Sequence, residues 1–309
     1  MYTCHLWPIQ IDREVKRRHI RTEINFIIQP LFIINLTDMK LYPFLILSIC
    51  LLGACSPKIS KQAESKRSNV LRIMSYNLHH CNPPSKEKEG LIDVDAIAKA
   101  IAQQKPDLVA LQEVDVNTKR SGSINQAVLL ATKLKMNFYF GKAIDHDGGD
   151  YGVAILSRFP LSGQQTFMLP KNNDAKAEQR VLAIATAEIA KGVFIRFAST
   201  HLDAQRPEDN RILQAKEINR LTAKESLPLI VAGDLNADPS SESIKIFDSN
   251  FTRTCNDCGF TIPVINPRKT IDHIGFKTGN PFKVVSHEVI PERYASDHLP
   301  IVAVLELKK

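Results

Sequence analysis

The segment LPLIVAGDLNADP, residues 227–239, joins an apolar run to a series of polar residues. The run predicts a buried strand, and Asp234, Asn236 and Asp238 then occupy alternate positions. Because alternate side chains of an extended segment face the same side, we predict that Asp234 and Asn236 point toward one ligand. We interpret Asp238 as a turn or helix-entry residue, and a simpler reading of the whole segment is an Asx turn that leads into a helix.

Similar apolar runs recur from residue 70 onward. They predict strands, and several are too apolar to have a solvated face. The runs are VLRIMSYNL (70–78), DLVALQEV (107–114), GVAILSRFP (152–160), RVLAIATAEI (180–189), VFIRFASTHL (193–202), LPLIVAGDL (227–235), TIDHIGF (270–276) and HLPIVAVLEL (298–307).

Three other segments have the apolar spacing of amphipathic helices. They are VDAIAKAIAQQ (94–104), INQAVLLATKLK (124–135) and NRILQAKEINRLTAK (210–224). Asp93 is a candidate cap for the first. Strands and helices mixed over residues 70–309 predict one α/β domain in which outer helices cover two packed sheets.

Polar residues recur where the predicted strands begin or end. They are Asn77, Glu113, His201, Asp234, Asn236, Asp272, Asp297 and His298. Taken singly, each has a simpler structural interpretation as a turn residue, a surface charge or a core histidine. Strand ends of such a core converge in space, so together these residues predict an active site.

The N-terminal region has the pattern of a secretory signal. MKLYPFLILSICLLGAC, residues 39–55, is too short to cross a membrane, and its end resembles a bacterial lipobox in which Cys55 is lipidated. The alternative is a buried hairpin or helix. We interpret residues 1–38 as an upstream extension and residues 56–69 as a flexible tether. This predicts a lipid-anchored protein of the cell envelope, at the outer membrane or on the periplasmic face.

Three cysteines lie beyond the tether: Cys81, Cys255 and Cys258. The C-x-x-C pair predicts a small disulfide or free thiols in a loop, since a zinc site of paired cysteines would need a second pair. The net charge of the chain is +7. That charge suits an anionic substrate, but it is also ordinary for a soluble surface.

The motifs SYNL, LQEV, GVAILSRFP, STHLD, GDLNADP, IDHI and SDHLPI follow one another between about residues 71 and 306. In this order they resemble the endonuclease/exonuclease/phosphatase superfamily, the metal-dependent phosphoesterases related to DNase I. The resemblance implies a four-layer α/β sandwich. It also implies hydrolysis of a phosphate ester with Mg²⁺, or Mn²⁺, as cofactor.

The resemblance also implies roles for single residues. Glu113 would be the main metal ligand, with Asn77 and Asp297 as supporting ligands or orienting groups. A hard cation takes oxygen ligands and keeps water, so few carboxylates are needed. Asp234 would align and deprotonate the attacking water, and Asn236 would donate to a phosphate oxygen.

Two histidines complete the implied site. His298 would contact phosphate or share the proton chemistry, while Asp272 fixes its tautomer. His201 would stabilise the pentavalent state or protonate the leaving oxygen, with Asp150 or Tyr151 as its orienting partner. Arg180 is a candidate phosphate-binding cation or a structural residue.

Three functions remain open from the sequence. The first is a phosphodiester hydrolase at the cell envelope, with a lipid- or sugar-linked phosphate among its candidate substrates. The second is a secreted nuclease related to DNase I, for which NTKRSGS (117–123) is the one short basic loop that could contact DNA; a solvated turn is the alternative there. The third is a non-catalytic binding lipoprotein. We expect a monomer.

Overall fold

The computed structural model describes residues 69–308. The predictions for the extension 1–38, for the signal 39–55 with Cys55, and for residues 56–68 of the tether fall outside these residues. Within the described part of the chain, none of the helices combines the length and apolar character needed to cross a membrane.

Sheet 1 contains six strands in the order β11-β12-β1-β2-β4-β3. Their bounds are Val70–Asn77 (β1), Leu108–Val116 (β2), Asn137–His146 (β3), Gly149–Ser157 (β4), Phe282–Val289 (β11) and Ile301–Leu307 (β12). The β1 and β2 strands are parallel, whereas the other neighbours are antiparallel.

Sheet 2 also contains six strands, in the order β5-β6-β7-β8-β10-β9. Their bounds are Leu161–Met168 (β5), Val181–Ala190 (β6), Val193–His201 (β7), Leu229–Asp234 (β8), Phe251–Arg253 (β9) and Asp272–Lys277 (β10). Here β7 and β8 form the parallel pair, and the remaining neighbours are antiparallel.

Four α-helices lie in the described residues: Val94–Gln104 (α1), Gln126–Leu134 (α2), Asp209–Thr222 (α3) and Glu242–Asp248 (α4). Asp93 caps α1, as predicted, because its carboxylate accepts the Ala96 N–H at 2.9 Å. Two 3₁₀ segments, His79–Cys81 and Pro84–Glu89, connect β1 to α1.

The side chains of each central strand alternate between two apolar cores. In β1, Leu71 and Ile73 pack between the sheets with Phe197 of β7, whereas Met74 and Tyr76 pack against α1 and α2 on the outer face. On the other side, α3 and α4 pack on sheet 2 through a third core that includes Ile218, Val231 and Phe247. The order of layers is helix, sheet, sheet, helix, so the predicted four-layer α/β sandwich is confirmed.

Two details differ from the sequence predictions. The strands β3, β5, β9 and β11 were not predicted, and all four are edge strands of their sheets. The last strand begins at Ile301, so Asp297 and His298 lie in the loop before it and not in the strand. The predicted disulfide alternative holds for Cys255 and Cys258, while Cys81 is buried with a free thiol.

Candidate active site

Four of the predicted site residues lie on strand ends that meet between the sheets. Asn77 ends β1, His201 ends β7, Asp234 ends β8 and Asp272 begins β10. His201 is paired with Asp234 across the parallel strands, and Asp272 is paired with Asp234 across the antiparallel ones. All four continue the inward-facing alternation of their strands, so the pleat that builds the inner core also brings them together.

The Asp234 carboxylate is the centre of this cluster. Its Oδ2 atom lies 3.1 Å from Asn77 Nδ2, 3.5 Å from His201 Nε2 and 3.7 Å from His298 Nε2. Its Oδ1 atom accepts the backbone N–H of Asn236 at 2.8 Å. Burial, and after it the charge of Asp272, raises the pKa of Asp234 well above the usual carboxyl range. A carboxylate with a raised pKa is a stronger proton acceptor, which suits a general base.

His298 is held by a second buried carboxylate. Its Nδ1 atom lies 2.9 Å from Asp272 Oδ2. Burial alone would lower the pKa of His298, but the carboxylates of Asp272 and Asp234 outweigh burial and raise that pKa. His298 is therefore a cation, and its Nδ1–H faces Asp272, the residue predicted to contact it.

His201 is oriented by Arg180, and Asp150, one of its two predicted partners, is engaged elsewhere. Arg180 Nη1 lies 3.4 Å from His201 Nδ1, whereas Asp150 forms an ion pair with Lys142. An arginine only donates, so His201 Nδ1 accepts and Nε2 carries the proton toward Asp234. Burial, followed by the charge of Arg180, lowers the pKa of His201 well below its usual value. His201 is thus a neutral donor.

Asn77 links the two sheets at the site. Its Nδ2 atom donates to Glu113 Oε1 at 3.0 Å and to Asp234 Oδ2 at 3.1 Å, while its Oδ1 atom accepts the His79 N–H at 3.0 Å. These three contacts fix the orientation of the amide. Ser296, for which the sequence predicted no role, donates from its hydroxyl to the Asn77 carbonyl at 2.7 Å. This hydrogen bond holds the loop that carries Asp297 against the end of β1.

Glu113 reaches the site through a break in the regular strand. The pairing of β2 with β4 shifts between Leu111 and Val114, and Glu113 has a φ of 55°. In an unbroken strand the inward-facing residues would be Leu108, Ala110 and Gln112, and Glu113 would face the outer helices. The β-bulge turns its carboxylate toward Asn77.

The extended geometry predicted for Asn236 is wrong. The β8 strand ends at Asp234, and Asn236 adopts a left-handed φ of 49°. Its Nδ2 atom donates to the Leu202 carbonyl at 3.0 Å. The local turn is the Asx type, since the Asn236 N–H binds the Asp234 side chain. Asp238 holds the next turn by accepting from Ser240, in agreement with its predicted role.

A polar layer beneath the site was not recognised in the sequence. Gln112 donates to Ser199 at 3.3 Å and accepts from Ser75 at 3.5 Å, which joins the two sheets. Ser75 and Ser199 stand two positions before Asn77 and His201, on the same face of their strands. That spacing was the available signal. His273, for which no role was predicted, has its Nε2 atom 2.9 Å from the Ala237 carbonyl and is structural.

Two sets of donor atoms could hold a divalent cation. Asp234, Asp272 and His298 each offer one ligand atom within 4.8 Å of the others. The Asp272 Oδ1 atom in that set is buried and has no hydrogen-bond partner among the described residues. A second candidate set is the predicted one of Glu113, Asn77 and Asp297, in which Asn77 Nδ2 lies 3.0 Å from Glu113 Oε1. Both sets fit a hard or borderline metal ion, since both supply carboxylate oxygens.

A comparison with family models identifies the class. The model of the Endonuclease/Exonuclease/phosphatase family matches residues 74–298, which include every strand-end residue of the site. The chain belongs to this family. Members of the family act on phosphoester bonds and are generally dependent on divalent metals.

Individual relatives agree with this assignment. The chain is 23% identical to the Escherichia coli K12 protein YbhP over 220 residues, 67% of this chain and 86% of YbhP. It superposes on a family member from Bacteroides thetaiotaomicron with a TM-score of 0.65 at 19% identity, covering 78% of this chain and 98% of that one. For the Bacteroides thetaiotaomicron mannosyl-6-phosphatase Bt3783 the TM-score is 0.61 at 20% identity, with 76% and 99% covered.

Proposed function

We propose that this protein is a divalent-metal-dependent phosphoesterase that hydrolyses phosphodiester bonds. One observation carries the proposal: a buried carboxylate, Asp234, whose Oδ2 atom lies within 3.1 to 3.7 Å of an amide and two imidazoles at one edge of the sandwich. Polar hydrogen donors of this kind would bind an anionic substrate and orient its attacking water.

In this proposal Asp234 takes the proton of the attacking water at Oδ2, as its raised pKa allows. The His298 cation, held by Asp272, stabilises the charge that develops on the phosphoryl oxygens. His201 donates its Nε2–H to the same oxygens. Because its pKa is low, it stays neutral while His298 carries the positive charge. Asn236 keeps its predicted role as a donor to phosphate, with the amide hydrogen that Leu202 does not use.

Glu113, Asn77 and Asp297 would hold the cation, and we infer Mg²⁺ because these three side chains offer oxygen atoms. Bound there, the ion would supply Lewis-acid stabilisation of negative charge on the phosphate ester. Mn²⁺ suits the alternative set, in which His298 would give up its proton and bind as a neutral imidazole. Arg180 is buried and engaged with His201 and Glu178, so we assign it to orienting His201 and not to direct phosphate binding.

A sugar- or lipid-linked phosphate is the substrate class that we propose. The similarity to a mannosyl-6-phosphatase supports the sugar-linked choice. For the nuclease alternative, the basic loop 117–123 offers less than its sequence indicated, because Arg120 makes two hydrogen bonds to the buried Asp115 carboxylate and lies over the Tyr151 ring. We also propose a monomer at the cell envelope, anchored through lipid on Cys55. Replacing Cys55 with Ala should then move the protein from the membrane fraction to the soluble fraction.

The first experiment compares the full chain with its Asp234→Asn variant on five substrates, with Mg²⁺, with Mn²⁺ and with EDTA. The substrates are bis-p-nitrophenyl phosphate, p-nitrophenyl phosphate, mannose 6-phosphate, plasmid DNA and sphingomyelin. We expect metal-dependent turnover that falls about 1000-fold in the variant, the usual loss for a general base. Asp238→Asn is the matched control, since its carboxylate is exposed and serves a turn.

The substrate pattern separates the remaining alternatives. Turnover of plasmid DNA alone, with binding that weakens steeply as salt rises, would favour the nuclease. Equal turnover by the wild type and Asp234→Asn would contradict the role given to Asp234. A folded protein that acts on none of the five substrates would contradict the proposed phosphodiesterase and favour the binding lipoprotein.

A further inference from the structure

A second group of metal-ligating side chains lies away from the candidate active site. Cys255 and Cys258 follow β9, the edge strand of sheet 2, and His287 lies in β11, the edge strand of sheet 1. The two sulfur atoms and one His287 ring nitrogen lie within 4.8 Å of one another. The group therefore stands where the open edges of the two sheets meet, and nothing in the proposed phosphoesterase mechanism uses it.

The hydrogen bonds around His287 define its tautomer. Its Nδ1 atom lies 2.8 Å from the Thr254 hydroxyl, and that hydroxyl donates its one proton to the Ile274 carbonyl at 3.1 Å. Thr254 must therefore accept from His287, so Nδ1 carries the hydrogen and Nε2 carries the lone pair. An imidazole whose far N–H is held by a neighbouring oxygen is the usual arrangement of a histidine that binds a metal.

The Nε2 atom is left without a partner. It is buried and makes no hydrogen bond within the described residues. Burial lowers the pKa of His287 to about 4, with a smaller effect of His273, so the imidazole is neutral at physiological pH. A buried lone pair without a hydrogen-bond donor lowers the stability of the folded protein, and a metal ion bound to Nε2 would remove that cost.

The segment that carries Cys255 and Cys258 packs closely against β11. A Cβ atom on Gly259 would lie 3.2 Å from Val289 Cγ2, and the Gly259 carbonyl accepts the Thr270 hydroxyl at 3.1 Å. The Cα atoms of Cys255 and Cys258 are 5.6 Å apart, and their C-x-x-C spacing is typical of zinc-binding loops. All three ligands are half-buried, so solvent can supply a fourth.

We propose that Cys255, Cys258 and His287 form a zinc site when the cysteine pair is reduced, and that this site joins the edge strand of sheet 1 to the chain beyond the edge strand of sheet 2. The sequence lacks the second cysteine pair that a zinc site of paired cysteines would need, and the tertiary structure supplies His287 instead. Two thiolates and an imidazole suit Zn²⁺ better than the oxygen ligands of the active site do. Binding would release two thiol protons to water.

The test uses the full chain, in which a phosphine first reduces the disulfide between Cys255 and Cys258. The disulfide and one water molecule react with the phosphine to give two thiols and the phosphine oxide. Zinc bound per protein is then measured by elemental analysis after removal of free metal, and Co²⁺ is added to parallel samples as a spectroscopic probe. Thiolate–cobalt charge-transfer bands report cysteine ligation and not the active site, since the carboxylate and imidazole groups of the active site cannot produce them.

We expect the reduced wild type to bind one zinc more than the Cys255→Ser, Cys258→Ser double variant, and to show thiolate–cobalt bands that the double variant lacks. His287→Gln should retain weak bands and lose affinity by about 100-fold or more, as when a metal ligand shell is disrupted. Zinc should also raise the Tm of the reduced wild type by more than it raises that of the double variant or of His287→Gln. Cys81→Ala is the cysteine control and should bind zinc like the wild type.

Two results would overturn the proposal. One is a reduced wild type, folded by circular dichroism, that gives no thiolate–cobalt bands. The other is a zinc content unchanged in both the double variant and His287→Gln. In either case the pair acts only as a disulfide. Turnover is not measured in this test, so failure of the zinc site and failure of the proposed phosphoesterase activity are distinguishable.

Discussion

Single side chains decide how protons are placed in the candidate site. Asp234 and Asp272 are two buried carboxylates with different partners. Asp272 binds His298 directly, whereas the Oδ2 atom of Asp234 faces several donors at once. Arg180 sets the tautomer of His201 from the far side. One histidine is therefore cationic and the other neutral, although both lie next to the same aspartate.

Asp115 provides a test of a buried charge. Its carboxylate accepts from Arg120, Ser121 and Thr118, and these hydrogen bonds outweigh burial and lower its pKa. Because the folded pKa lies below the unfolded one, the stabilisation is present above the unfolded pKa and is lost as pH falls through the folded pKa. We expect Asp115→Asn to reduce the free energy of unfolding by about 2 kcal/mol at pH 7.

The measurement is urea unfolding of the wild type and of Asp115→Asn at pH 7 and at a series of lower pH values. The difference between the two proteins should shrink once pH falls below the ordinary aspartate range. Asp145→Asn is the matched control, because Asp145 is exposed and pairs with Lys142 at the surface. A difference that stays constant down to acid unfolding would contradict this account.

At the scale of elements, local pattern and position in the sheet together explain which strands could be predicted. The eight predicted runs correspond to the eight inner strands, which are buried on both faces and therefore read as continuous apolar segments. The four edge strands are half-exposed, and LSGQQTFM of β5 is mostly polar. Edge strands carry polar residues that limit pairing with other chains, so their sequences lack the apolar signal.

Gly233 tests the contact between β7 and β8. It lies opposite Thr200 in the parallel pair, and a Cβ atom there would lie 2.0 Å from the Thr200 carbonyl oxygen. We expect Gly233→Ala to lower the free energy of unfolding by about 3 kcal/mol, because backbone must move. The same shift would separate His201 from Asp234 and reduce turnover.

Urea unfolding and a turnover assay on the same preparation check this prediction. Gly192→Ala is the control: it has open space around its Cβ position but a φ of +72°, so about 1 kcal/mol is lost with turnover unchanged. Full stability and full turnover in Gly233→Ala would show that the two strands separate without cost.

For the whole molecule, the core between the sheets sets the distance between the two halves of the site. Phe197 of β7 is fully buried in that core, whereas Phe194 of the same strand is 40% exposed. We expect Phe197→Ala to cost about 4 kcal/mol, the usual loss for a large cavity. Phe194→Ala should cost less than about 1 kcal/mol.

Thermal and urea unfolding of the two phenylalanine variants test this expectation. Because Asn77 of sheet 1 and Asp234 of sheet 2 meet above the same core, Phe197→Ala should also reduce turnover in the protein that remains folded. Equal stability losses for the two variants would mean that the core between the sheets contributes no more than the surface of β7.

The sequence by itself determined the inner strands and three helices, and it predicted the polar residues at strand ends that the structure brings together. Strand and helix periods are local patterns, and inward-facing polar residues at strand ends interrupt a local apolar pattern. The tertiary structure alone decided the bulge that turns Glu113 inward, the tautomer of His201 and the meeting of His287 with Cys255 and Cys258. Each of these depends on residues far apart in the chain, and a contact between distant segments leaves no period in either of them.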